Sequence, residues 1–328
     1  MTEKKDDQDG FTSRESREFP NIVNACVLRG PCTCDCKHCP VGSTPRDERI
    51  QRFGGESMSL KTFKKIADEL AHHPHSALRI HSVGEPLLWK DLKQATYYTS
   101  DRNINTWIFT SLVTNDFFML DHLANNLSVI EVSINSIDRD NYKKTKGIDS
   151  FYIVLENIEY LSRKIAKDGL KTRLIVSRVG SDDKEYDERF VRHWKGTGLV
   201  ADAFIRSYHD YNGLLCAGEG KKKRDPAPCH VHWSRFNIDC DGRAVMCFNE
   251  LFKGPKPDQS LVIGDVNTES IAAIWKCERL KKIRNAQLSG NYEGIDFTKR
   301  LPCLDCKFCM PLDANRTTSE HQIKQIKR

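Results

Sequence analysis

Residues 77–113, ALRIHSVGEPLLWKDLKQATYYTSDRNINTWIFTSLV, decide the fold. Ala77–Val83 is a strand-length run rich in apolar residues. A helical stretch follows at Asp91–Ser100, and Thr106–Val113 is a second β-rich run. Strand, helix and strand in that order form a parallel βαβ unit.

The same alternation extends outward in both directions. Upstream, Asn21–Cys26 is a short apolar run. Ser59–Leu70 places Leu60, Phe63, Ile66, Ala67 and Leu70 at helical spacing behind a serine N-cap. Downstream, strands are expected at Val129–Ile134, Lys171–Val179 and Ala201–Ser207. Helices are expected at Phe117–Leu127, Phe151–Lys167 and Glu185–Lys195. Five or six such units predict an α/β fold, a partial (β/α)6 TIM-like barrel with its chemistry at the C-terminal strand ends.

The texture changes after Tyr211-Asn212-Gly213. A linker is expected at Ala217–Pro228, then a hairpin over Phe236–Cys247 turning at Asp241-Gly242. One helix is expected at Ser270–Ala286. The expected organisation is a disordered tail over 1–18, a barrel over 19–212 and a small metal-stapled module over 213–328.

Hydrophobic residues make up 39% and charged residues 29% of the 328 positions, a globular rather than a disordered balance. No apolar run reaches membrane-spanning length, and the polar N-terminus has no signal-peptide core, so a cytoplasmic protein is expected. The net charge of +6 is modest, and Lys221–Arg224 reads as a solvated loop rather than a nucleic-acid patch. Neither a membrane nor a nucleic-acid partner is expected.

Thirteen cysteines in a cytosolic chain point to metal binding or redox chemistry rather than disulfides. Five lie from Cys26 to Cys39 and eight from Cys216 onward, with none between. Cys32, Cys36 and Cys39 follow the first strand in a C-x3-C-x2-C loop. Three thiolates can wrap one face of a cubane cluster and leave one iron open, as catalysis needs. Cys34 crowds this spacing and is read as an unligated loop thiol, and Cys26 as a core residue. A four-thiolate zinc site is the rival reading.

This loop resembles that of the radical S-adenosylmethionine superfamily. The resemblance runs from about Asn21 to Cys309. It implies that the open iron chelates the amino and carboxylate groups of S-adenosylmethionine, with His38 near the adenine. Ser82-Val83-Gly84-Glu85-Pro86 resembles the family's GGEP element, with Val83 in place of the first Gly. Gly84, Glu85 and Pro86 are thereby assigned to the cofactor's amino group, which a carboxylate and carbonyl oxygens suit. Ser133-Ile134-Asn135 resembles a cofactor-contacting strand end, with Asn135 where Asp is commoner. The resemblance further implies Lys146 against the cofactor carboxylate, Ser177 against the ribose, and a turn at Thr114-Asn115-Asp116. Arg206 is the candidate for holding a polar substrate or tuning a proton transfer.

The later cysteines resemble the auxiliary-cluster modules called SPASM and Twitch, through Cys229, then Gly242-x4-Cys247, then Cys303-x2-Cys306. The short cysteine series favours Twitch, with one auxiliary cluster on Cys229, Cys247, Cys303 and Cys306. Cys309 is a substitute, and zinc is again the rival. Cys216, Cys240 and Cys277 are read as free thiols.

The implied cofactors are two [4Fe-4S] clusters and S-adenosylmethionine, with flavodoxin or ferredoxin as external electron donor. The implied reaction is reductive cleavage to a 5′-deoxyadenosyl radical, which takes a hydrogen atom from the substrate. The layout resembles an aminocyclitol dehydrogenase, so oxidation or epimerisation of a sugar- or cyclitol-like small molecule is expected. A peptide-modifying enzyme and a non-catalytic zinc scaffold are the alternatives.

Overall fold

The computed structural model describes residues 17–211, 213–215 and 229–293. Six parallel strands carry the first two thirds: β1 (Ile22–Arg29), β2 (Ala77–Val83), β3 (Asn105–Thr110), β4 (Val129–Val132), β5 (Arg173–Val179) and β6 (Asp202–Arg206). Between them run α1 (Arg49–Phe53), α2 (Leu60–Leu70), α3 (Leu92–Asp101), α4 (Phe117–Asn126), α5 (Arg139–Lys146), α6 (Phe151–Lys167) and α7 (Lys184–Gly196). This is the expected partial barrel. Ser59 caps α2 as read from sequence, its Oγ accepting from the Thr62 amide at 3.1 Å.

Two cores follow from the period-2 alternation of the strands. Leu78, Ile80, Ile108, Ile130 and Val176 face the helices and join the main apolar cluster. Trp107, Val129, Ile175 and Phe204 face inward and fill one layer of the barrel. Two residues further along the strands, the inward side chains turn polar at Glu131, Ser177 and Arg206, and Arg79 lies over the Trp107 and Phe109 rings. Arg206 bonds the buried Glu131 carboxylate through both Nε (2.7 Å) and a terminal nitrogen, and Arg79 approaches it at 3.8 Å.

The expected strand at Thr106–Val113 ends early, at Thr110. Thr110 Oγ1 accepts from the Leu112 amide at 2.9 Å, and Leu112 is left-handed with φ 58°. That turn aims the Ser111 amide at Glu85 rather than at a neighbouring strand. Likewise Val129–Ile134 is strand only to Val132. The helix α5 and the short α1 had no strong apolar period to announce them. Asp138 caps α5, accepting from the Asn141 amide at 2.8 Å.

The C-terminal part holds α8 (His230–Ser234), β7 (Arg235–Ile238), β8 (Arg243–Val245), β9 (Val262–Asp265), α9 (Ile271–Trp275) and α10 (Glu278–Ser289). It is not built apart from the barrel. β7 pairs in parallel with β1, from Ile22↔Arg235 to Ala25↔Ile238, and β8 and β9 extend the edge. One sheet of nine strands results, ordered β6-β5-β4-β3-β2-β1-β7-β8-β9. Buried polar pairs lock the junction: Asn24 Nδ2 donates to Asn237 Oδ1 (2.9 Å), and Arg29 Nε to Asp239 Oδ1 (2.7 Å).

The single helix expected at Ser270–Ala286 is two helices broken at Cys277. The Glu69 carboxylate accepts from the Ile271 and Ala272 amides and fixes the first. Arg284 of the second folds back over the Trp275 ring and donates to the Trp275 carbonyl. Among the described residues no helix is long and apolar enough to cross a membrane.

Candidate functional site

β1 delivers the chain into the cysteine loop. Gly30 N donates to Val83 O (2.7 Å) and Glu85 N to Pro31 O (2.9 Å), so the loop is seated on the turn after β2. Gly84 is required there, because a Cβ would lie 2.2 Å from Pro31 O and its φ is 154°. Inside the loop, Gly42 allows a tight return. A Cβ at that position would sit 2.2 Å from Cys36 N and 2.4 Å from Cys36 O.

Arg49, buried at the start of α1, is the loop's internal strut. Its guanidinium reaches the carbonyls of Cys32, Cys34, Gly42 and Thr44 and the Asp35 carboxylate (2.6 Å). Arg46 grips Asp35 from the other side with two bonds of 2.9 Å. Hydrogen bonds from Arg46 and Arg49 hold the Asp35 carboxyl below its usual range. The loop also caps a helix: Asp35 N and Lys37 N donate to the Lys146 and Thr145 carbonyls at the end of α5.

The three cysteines are buried or half-buried thiols. Burial, then the Glu85 charge, pushes Cys32 up to about 12. A hydrogen bond with Cys34 and burial hold Cys36 well above its usual value, and burial raises Cys39. Buried thiols of this kind become thiolates when iron supplies the compensating charge, so loading releases protons. Among the described residues no three Cys, His, Asp or Glu side chains converge on a single ion position. A cubane does not ask them to, since each thiolate binds a different iron. The tight loop and its three thiols fit that cluster. Cys34 is buried beside Cys36 and close to Ser111.

Next to the loop is a buried polar pocket. The Glu85 carboxylate accepts from Thr110 Oγ1 (2.5 Å), Ser111 Oγ (2.6 Å), Ser111 N (2.8 Å) and Leu87 N (3.1 Å). Pro86 is buried and starts a 3-10 turn capped by Glu85. Lys146, 2% exposed, donates to Ser133 Oγ at 3.2 Å. Burial works against its charge, but Cys36, Cys34, Cys32 and Glu85 outweigh that and raise its pKa. Ser133 also accepts from Asn135 Nδ2 (2.9 Å). Asn135 is left-handed at φ 61°, and its Oδ1 receives the Val179 amide (2.7 Å). It is thus a turn-former at the end of β4. His38 is half-buried, and burial with Lys146 and Arg178 pushes its pKa down to about 3, so the ring is neutral.

Glu85, Ser133, Lys146 and the cysteine loop are therefore brought together. Two other expected residues turn their side chains to Glu131, although the Ser177 carbonyl accepts from the Asn135 amide at 3.2 Å. Ser177 lies inside β5, two residues before its end, and bonds Glu131 in the inward polar layer. Arg206 is in the same layer, committed to Glu131. Thr114 is structural, accepting from the Asp116 amide and, through its carbonyl, from Asn157.

Sequence reasoning missed Arg49, Thr110, Ser111, Tyr142 and His81. Only Tyr142 carried a signal, one helical turn before Lys146 on the same face. His81 points inward from β2. It is 4% exposed, neither ring nitrogen has a hydrogen-bond partner among the described residues, and it packs on Phe248 at 5.2 Å. Burial, then Arg79, pushes its pKa down to about 3.

Of the expected auxiliary ligands, Cys229 and Cys247 are half-buried. Cys303, Cys306 and the substitute Cys309 lie outside the described residues, as do Cys216 and Lys221–Arg224. Phe248, directly after Cys247, packs with Tyr211, Phe252 and Val245 in an apolar cluster that also takes in Cys32 and Cys39. Cys240 is buried in the turn after β7.

Comparison with known proteins agrees with this geometry. The family model described as the radical SAM superfamily matches residues 22–188, about half of the chain, and a SPASM iron–sulfur cluster-binding domain matches residues 229–307. A PqqA peptide cyclase of Granulibacter bethesdensis is 24% identical over 315 residues, covering 82% of this chain and 75% of the relative. Among solved structures, Streptococcus suis SuiB bound to its precursor peptide SuiA has a TM-score of 0.60 at 13% identity, covering 81% of this chain and 67% of that one. The anSMEcpe structure with bound AdoMet has 0.59 at 11%, covering 87% and 88%. BtrN in complex with AdoMet and 2-DOIA has 0.50 at 15%, covering 87% and 92%. These structures share the fold. With S-adenosylmethionine and iron–sulfur clusters as its cofactors, the chain belongs to the radical SAM superfamily and carries a C-terminal SPASM-type cluster-binding domain.

Proposed function

We propose that this enzyme oxidises a polar, hydroxylated small molecule of sugar or cyclitol type, converting an alcohol to a ketone. The observation that carries this reading is the inward polar layer, above all His81. A buried imidazole with neither nitrogen partnered leaves a donor and an acceptor unmet, at a cost of roughly 1–3 kcal/mol each. A substrate hydroxyl supplies both.

When bound, the cluster and S-adenosylmethionine supply a 5′-deoxyadenosyl radical that takes a hydrogen atom from carbon. The protein's own residues do the rest. Cys32, Cys36 and Cys39 hold the cluster. Gly84, Glu85 and Pro86 would receive the cofactor's amino group, Lys146 and Ser133 its carboxylate, and His38 would serve the adenine. Ser177, bonded to Glu131, is assigned here to the substrate layer and not to the ribose. Arg206 fixes the Glu131 charge in that layer. Cys229 and Cys247, with Cys303 and Cys306 or Cys309, would hold an auxiliary cluster, which would supply a one-electron acceptor as the hydroxyl proton leaves to solvent. An external one-electron carrier of the flavodoxin or ferredoxin kind supplies the first.

A second reading is a peptide substrate, favoured by the 24% identical relative being a peptide cyclase. One experiment separates the two. The anaerobically reconstituted enzyme is given S-adenosylmethionine, dithionite and panels of cyclitols, amino sugars and peptides. The first reading expects cyclitols or amino sugars to raise 5′-deoxyadenosine above the substrate-free level with loss of two hydrogens from the substrate. Stimulation by peptides alone contradicts it.

A further inference from the structure

We propose that Tyr142 is a binding residue for S-adenosylmethionine, its hydroxyl donating to the cofactor's carboxylate. The proposal rests on the cofactor and not on the substrate named above.

Tyr142, on α5, is buried with 0% exposure. Its ring is fixed by an edge contact with Phe151 at 5.8 Å. Among the described residues its hydroxyl nonetheless has no hydrogen-bond partner. Leaving a buried hydroxyl unmet costs about 1–3 kcal/mol, and a phenylalanine would avoid that cost. A tyrosine here therefore calls for a partner that arrives with a ligand.

The surroundings say which ligand. The cysteine loop docks on this helix, Asp35 N and Lys37 N donating to the Lys146 and Thr145 carbonyls. A phenol hydroxyl is a donor at neutral pH. Lys146, one helical turn on, donates to Ser133 Oγ at 3.2 Å. Residues four apart on a helix share a face, so α5 carries a cation and a neutral O–H donor side by side. An ammonium beside an O–H donor suits a carboxylate, which accepts several hydrogen bonds at once. The Glu85 oxygens face the opposite task, and their existing donors, Thr110, Ser111 and Leu87 N, hold them in place. In this reading the two ends of an amino acid group meet different residues, the ammonium Glu85 and the carboxylate the α5 pair.

The other claimant for the hydroxyl is a sulfide of the cluster. Hydrogen bonds to cluster sulfur change the reduction potential, so the two are separable. The test compares full-length, reconstituted wild type with Tyr142→Phe, which removes one oxygen and keeps the shape. Three quantities are read: iron and sulfide per chain, the midpoint potential without S-adenosylmethionine, and the Kd for S-adenosylmethionine from the change it causes in the reduced-cluster EPR spectrum. The expected result is unchanged iron and unchanged cofactor-free potential, with a Kd weakened about tenfold, the size of one charge-assisted hydrogen bond. An unchanged Kd overturns the proposal. A shifted cofactor-free potential also overturns it, in favour of the sulfide. Lost iron overturns it too, in favour of a role in loop folding. The melting temperature of cluster-free Tyr142→Phe, expected equal or higher, checks that the variant folds.

Discussion

Glu85 shows how much of the site is fixed before any cofactor arrives. Four donors from the chain itself converge on its two oxygens. In Glu85→Gln one of those oxygens becomes an amide NH2 aimed at donors. We expect a loss of about 1–3 kcal/mol in denaturant unfolding of the cluster-free protein, together with weaker cofactor binding. Unchanged stability would show that the four bonds do not form in solution. His81 behaves in the opposite way. His81→Phe removes two unmet nitrogens and is expected to raise cluster-free stability by roughly 1–2 kcal/mol while lowering substrate-dependent 5′-deoxyadenosine. The buried histidines also set a pH dependence. His38 and His81 have pKa values pushed from 6.5 to about 3 in the fold. Between those values the unfolded chain binds the extra protons, so stability is full above about pH 6.5 and falls towards pH 3. Urea unfolding at pH 7 and pH 5 checks the sign, and His81→Phe should flatten the slope. At this scale the cysteine triad, Glu85 and Lys146 were legible because a motif spacing carries them. Ser111 and His81 were not, because each acts through a contact distant in sequence, and Arg49 was not, because its partners are carbonyls of an irregular loop that no spacing announces.

The elements explain why the loop has the shape that it has. A chain leaving β1 must turn over Gly84, return at Gly42, and end against α5. Arg49 then ties four of the loop's carbonyls to one guanidinium. Gly42→Ala puts a methyl group 2.2 Å from Cys36 N, which only a displaced Cys36 relieves. The barrel beyond the loop does not depend on this contact. We therefore expect Gly42→Ala to keep its far-ultraviolet circular dichroism and to lose about four irons per chain after reconstitution, the content of one cubane. Full loading would mean that the loop rearranges freely. Strand ends were the weak point of sequence reading at this scale. Thr106–Val113 is β-rich to its last residue, yet Thr110 and Ser111 leave the ladder for Glu85. The break at Cys277 was equally hidden, since neither proline nor glycine marks it.

In the whole molecule the two cysteine regions share one sheet. β1 carries the first cysteine loop, and β7, its direct neighbour, leads into the hairpin that ends at Cys247. Arg29, three residues before Cys32, bonds Asp239 and the carbonyls of Phe53, Leu251 and Gly254. It ties the cysteine loop's base to the segment after Cys247. Arg29→Met leaves the Asp239 charge buried beside the more distant Arg243, and should cost about 3–5 kcal/mol in unfolding free energy. Alternating strands and helices made the barrel readable. The joined sheet was not, because β7 is four residues long and its partner lies more than two hundred positions away. The central claim is that Cys32, Cys36 and Cys39 hold the cluster that cleaves S-adenosylmethionine. It is tested most directly by reconstituting wild type and the Cys32→Ala/Cys36→Ala/Cys39→Ala variant anaerobically, then measuring iron and 5′-deoxyadenosine after dithionite reduction. The account predicts about eight irons in wild type and about four in the variant, with 5′-deoxyadenosine from wild type alone. Equal iron in the two proteins, or 5′-deoxyadenosine from the variant, would contradict it.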